Sequence, residues 1–136
     1  MHVKEQNKAD ITSKEDFSIG VMHLISLEEH LLFSFMKTKN QQYLEIYKEI
    51  RKMRIAMMKK LITNFNAEVW CCSKHLLSSS MRFMETGAKY LMENKNNEAM
   101  KFYETAFDLY GLFWLLQGMG EENVTRKPAK KAKAKR

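Results

Sequence analysis

Structural punctuation is scarce in this sequence, and that scarcity limits the fold more than any other feature. One Pro and five Gly are spread over 136 residues. A turn-rich β fold needs far more of both, whereas long helices need almost none. The polar breaks that do occur are short. Thr12 and Glu15 have the spacing of a capping box, which predicts a first helix from there to about Lys37. Thr38-Lys39-Asn40-Gln41 interrupts it, and a second helix follows over about 42–62. Asn64 and Asn66 supply a turn and an N-cap for a third helix, about 67–92. Asn94-Lys95-Asn96-Asn97 separates this from a fourth, about 98–117, which Gly118 and Gly120 are expected to stop.

Four helices with short connections predict an all-α chain, an antiparallel four-helix bundle built from two helical hairpins. The bundle occupies 12–120, between a disordered N-terminus over 1–11 and a disordered basic tail over 121–136. The length permits one such domain, because two would each be too small to bury a core.

The hairpins also look related. A shift of 56 residues lays Met36 to Asn40 on Met92 to Asn96, Tyr47 on Tyr103 and Glu29 on Glu85. This reads as two copies of one hairpin. In the second copy, Gly87, Tyr90, Ala99, Tyr103 and Ala106 have the spacing of small and aromatic positions in a tetratricopeptide repeat. The stretch 84–110 resembles one such motif. The resemblance implies two antiparallel helices in close approach and an interaction role. It carries over no functional residue, and Asn94 stands where that family favours Gly.

The charge is unevenly placed. The last eleven residues hold seven cations, Arg126, Lys127, Lys130, Lys131, Lys133, Lys135 and Arg136, and no acid. The formal net charge of +7 therefore sits wholly in the tail, and the body is neutral. A fold that bound nucleic acid through its own surface would need a basic stripe. A cationic arm on a neutral body predicts sequence-independent phosphate contacts through the tail. Cys71 and Cys72 are adjacent and have no third partner, which predicts free thiols and a reducing, cytoplasmic setting. No uninterrupted apolar run reaches the length of a membrane span, so none is expected.

Helical periodicity selects the side chains that stand out. On the first helix Val21, Leu24, Leu31, Leu32 and Phe35 form an apolar arc, with His23 and His30 opposite. Glu28 lies inside that arc, and Arg54 lies inside the apolar face of the second helix. Folding about Lys39 brings them within one turn of each other. A buried charge needs a partner, which predicts either a structural ion pair or a polar pocket that adds Tyr47 and Tyr110. Cys71 and His75 are four apart and could chelate a soft metal, but they supply only half a tetrahedral shell. Neither metal nor cofactor is expected. Cys72 reads as a small core residue, and the helical methionines read as core filler. Leu112 and Leu115 fall opposite the buried arc of the fourth helix, with Trp114 flanking it, an interface candidate.

The function these features predict is non-enzymatic. A helical module docks a protein partner or a second copy of itself, and its tail engages nucleic acid or ribonucleoprotein. The alternative is a small metal-binding or enzymatic bundle using Glu28, Arg54, Cys71 and His75.

Overall fold

The computed structural model describes residues 13–63 and 66–118 with their side chains, and two of its helices carry bounds beyond them. It is all-helical: α1 (His2–Thr38), α2 (Gln41–Leu61), α3 (Ala67–Met92) and α4 (Asn96–Ala134). α1 packs on α2 and α3 on α4, and the chain divides into two units at Leu61 and Ile62. The expected disorder of 1–11 and 121–136, and the turn at Asn64, fall outside the described residues.

Two predicted ends are corrected. Helix is continuous through Ser13 to Glu15, so the Thr12–Glu15 capping box opens nothing. A box marks a start only where the preceding residues resist helix, and Glu5, Gln6, Lys8 and Ala9 favour it. Gly118 is likewise helical, and among the described residues no glycine has a positive φ. A glycine stop requires the left-handed conformation, which this one does not adopt.

The two hairpin turns close by different caps. Lys39 (φ 57°) donates its N–H to the Phe35 carbonyl at 2.6 Å, the single bond of the αL cap. Asn40 then opens α2 by accepting the Gln42 N–H at 3.0 Å on its side chain. In the second turn Asn94 (φ 63°) donates to Leu91 O and Lys95 to Tyr90 O, both at 3.0 Å. That pair of bonds is a Schellman cap. Lys39 and Asn94 are thus equivalent, one residue closer than the 56-residue shift requires. The hairpins share a plan, and their ungapped alignment slips by one position at the turn. Asn66 caps α3 as its type predicts, accepting the Glu68 N–H at 2.8 Å.

Heptad-spaced small residues govern the second unit. Ser73, Ser80 and Gly87 line one face of α3, and Ala99, Ala106 and Phe113 line the facing stripe of α4; all six are buried. The Ser80 hydroxyl donates to the Ala106 carbonyl at 2.8 Å, and the Gln117 amide donates to the Ser73 hydroxyl at 2.8 Å. A side chain that bonds directly to a neighbouring helix's backbone requires close approach. At Gly87 the approach leaves no room for a Cβ. A Cβ there would lie 2.9 Å from Tyr103 Cε1 and 3.2 Å from Phe102 Cβ.

The first unit buries Val21, Glu28 and Leu31, which lie in the expected arc, together with Ser18, Met22 and Ile25, whereas Leu32 is exposed and Leu24 half-buried. The buried line is rotated from the expected arc centre because it runs through Ser18, whose polar side chain gives no hydropathy signal. The methionines divide in the same way. Met22, Met58 and Met81 are buried, while Met36, Met53, Met84 and Met100 are exposed. By length and composition, Ser13–Thr38 is long and apolar enough to cross a membrane, although charged residues interrupt it and no uninterrupted apolar run reaches that length. Within this stretch Glu28 pairs with an arginine of α2. A bilayer penalises such mid-helix charge heavily.

Gly87 and Gly20 should respond to alanine with opposite signs. Gly20 meets nothing within 4 Å, so Gly20→Ala gains helix propensity and stabilises by about 0.5–1 kcal/mol. Gly87→Ala gains the same propensity but pushes Tyr103 away, and overpacking of about 1–3 kcal/mol outweighs it. Thermal melts of the two variants against wild type check both signs.

Candidate functional site

α1 and α2 bring Glu28 and Arg54 together. Arg54 donates from Nη2 to Glu28 Oε1 at 3.0 Å and to Oε2 at 3.1 Å. Both residues are buried, Arg54 to 2% exposure. Arg51, half-exposed and nearly one turn earlier, adds its Nη1 at 3.5 Å from Glu28 Oε1. One carboxylate is therefore held by two guanidinium groups, one dry and one wet. The geometry is not the paired fork of an ideal arginine–carboxylate contact. One nitrogen serves both oxygens, Nη1 points to the Met58 sulfur at 3.7 Å, and the buried Nε has no partner among the described residues. Arg54 thus secures its partner with one of its three nitrogens.

Of the other residues proposed for a polar pocket, Tyr47 is half-buried on α2, and Tyr110 belongs to the second unit. The Tyr110 ring stands edge-on to Trp114 at 6.0 Å, and Trp114 is edge-on to Phe113 at 4.9 Å. Atoms as enclosed as those of Glu28 and Arg54 act on the fold before they act on any solute. Their geometry suits a clamp on hairpin register.

The soft-metal candidates lie open on α3. Cys71 and His75 are exposed, and Cys72 is exposed too, which corrects its assignment to the core. Cys72 was placed inside on residue type, but Val69, Ser73, Leu77 and Ser80 form the buried stripe, and Cys72 falls off it. Among the described residues no three His, Cys, Asp or Glu side chains converge. His23 and His30 are both exposed on α1.

The second feature is on α4. Opposite its buried Ala99–Ala106–Phe113 stripe, Phe107, Leu112 and Leu115 are exposed by 77%, 48% and 59%. Gly111 and Gly118 lie on the same side, and a Cβ at either would meet nothing within 4 Å. Three helical turns thus present two large apolar side chains, Phe107 and Leu115, around a bare glycine, with Leu112 at the edge. Trp114 is half-buried at the border of the strip. Helical periodicity singled out Leu112 and Leu115, which fall opposite the buried arc. Phe107 was missed because aromatic residues default to the core, and Gly111 because glycine has no hydropathy signal. The seven-residue spacing of Ala99, Ala106 and Phe113 was the clue that fixes the outward face.

The tail cations Arg126, Lys127, Lys130, Lys131, Lys133, Lys135 and Arg136 lie outside the described side chains. Compared with protein-family models, curated proteins and solved structures, the chain matches none. The tetratricopeptide-like spacing of 84–110 is a likeness in five positions, and Asn94 at φ 63° shows why that family favours Gly there.

A double-mutant cycle tests the ion pair. Glu28→Gln leaves Arg54 buried without a counter-charge, which costs about 3–5 kcal/mol when burial is complete. Arg54→Met costs less, because Arg51 still reaches the carboxylate. The double variant should be more stable than the sum of the two losses implies, by about 1 kcal/mol or more, measured by chemical denaturation.

Proposed function

We propose that this chain is a non-enzymatic helical interaction module, which docks a protein partner or itself and carries a Lys-rich arm for nucleic acid or ribonucleoprotein. The exposed apolar strip of α4 carries the reading. Phe107, Leu112 and Leu115 expose large apolar surface on one side of one helix, where a soluble surface would place charge. The free, exposed thiols of Cys71 and Cys72 support a reducing, cytoplasmic setting.

The docking surface is tested in native extract. The tagged full chain should migrate in an assembly heavier than itself, and Leu112→Lys with Leu115→Lys should return it to its own mass with helicity unchanged. Both substitutions lie on exposed positions, so folding is spared. Migration at its own mass before any substitution would refute the docking reading.

The tail is tested by salt. Seven cations fully engaged on duplex would give a log–log salt slope approaching about −6. Their spacing suits phosphates, and no aromatic residue lies between them to stack on bases. Replacing all seven by Gln should abolish the salt-dependent component of binding to RNA and duplex DNA, read by fluorescence anisotropy.

A further inference from the structure

We propose that the partner of the α4 strip is a second copy of the same helix, packed antiparallel about a two-fold axis at Gly111. The proposal rests on the docking reading and names its occupant. The strip is self-complementary. In an antiparallel pair centred on residue 111, each position before the centre meets the position equally far beyond it in the other copy. Phe107 then meets Leu115, and Leu115 meets Phe107. Both are exposed and apolar, and each lies one turn from the axis.

Gly111 faces Gly111. The open space at its Cβ position lets the two backbones approach closely, so that the flanking Phe and Leu interlock instead of holding the helices apart. Two turns out, exposed Glu104 meets Gly118, whose Cβ position is also open and leaves room for the longer side chain. At the border, exposed Asp108 meets half-buried Trp114, and the indole N–H can donate to that carboxylate. Large side chains thus meet large, and small meets small or leaves room for the long one. Among the described residues, the acids at the seam, Glu104 and Asp108, meet a glycine and an indole donor, so these acids do not oppose each other. A partner with an unrelated surface would not need this symmetry about one glycine.

A contact of three helical turns is smaller than a standard protein interface, so the dimer is weak, with a Kd on the order of 10–100 μM. Sedimentation equilibrium of the purified full chain should show a reversible monomer–dimer equilibrium in that range. Leu115→Glu should weaken it at least tenfold by opposing two acids to two phenylalanines. A cysteine at the axis gives a second readout. In a Cys71→Ser, Cys72→Ser background, Gly111→Cys should form an intermolecular disulfide on mild oxidation, because facing helices at a glycine contact bring the Cα atoms within disulfide reach. Asn97→Cys, exposed on the same helix but far from the axis, should form it far more slowly.

A dimer that Leu115→Glu leaves intact would overturn the proposal, as would equal crosslinking at 97 and 111. A chain that is monomeric throughout the range would also overturn it. If that monomer still migrates in a heavy assembly in extract, docking stands and the occupant is another protein. If it instead floats with phosphatidylcholine–phosphatidylserine vesicles, the strip belongs to a bilayer.

Discussion

Close approach of two helices is the constraint on which the second unit depends, and it is set by side chains that are nearly absent. Ser73, Ser80 and Gly87 repeat every seven residues against Ala99, Ala106 and Phe113. Small residues bring the backbones close enough for the Ser80 hydroxyl to reach the Ala106 carbonyl. That contact fixes which side of α4 is inside. Once the seven-residue stripe is committed to α3, Phe107, Gly111 and Leu115 have no place to go but outward. The exposed strip is thus a geometric consequence of the seam, and a change at Gly87 bears on the face that α4 presents elsewhere.

The first hairpin solves the same problem with charge. Glu28 and Arg54 sit in the buried line where apolar residues would be expected. Two dry charges tolerate no slip, because an offset of one turn leaves each without its partner in a medium that cannot solvate it. A hydrophobic pair of similar size would hold the helices at least as firmly but would forgive a slip. Arg51 moderates the arrangement by giving Glu28 a second, wetter counter-charge. One hairpin is therefore held in register by small-residue packing and the other by an ion pair, although each turn pivots on one residue of positive φ.

The functional proposals use what these two devices leave over. The ion pair is spent on the fold, and the exposed thiols do not gather three ligands among the described residues. Among the exposed apolar side chains of the body, the proposals use those of the α4 strip, and beyond it the cationic tail. An apolar contact near one end and a phosphate-seeking arm beyond it would let a weak dimer bind a polyanion with two arms at once. Two weak attachments on one scaffold raise the effective concentration of the second.

Much of the architecture was legible in the sequence because helix formation is local. Sparse Gly and Pro, polar breaks at Lys39–Asn40 and Asn94–Lys95, and the Asn66 cap specify four helices without reference to anything distant. The meeting of Glu28 with Arg54 was legible too, since a short turn fixes the level of each residue on the facing helix. The outer ends of α1 and α4 were not, because caps and glycines act only when the flanking chain cooperates. Cys72, Leu32 and several methionines were misplaced because residue type records affinity for the core, not a position in it. Only the packing of α3 against α4 decided which stripe is buried, and so which side of α4 is left for a partner. A helix sequence alone leaves that rotation free; the seven-residue seam removes the freedom by bringing a second helix into contact.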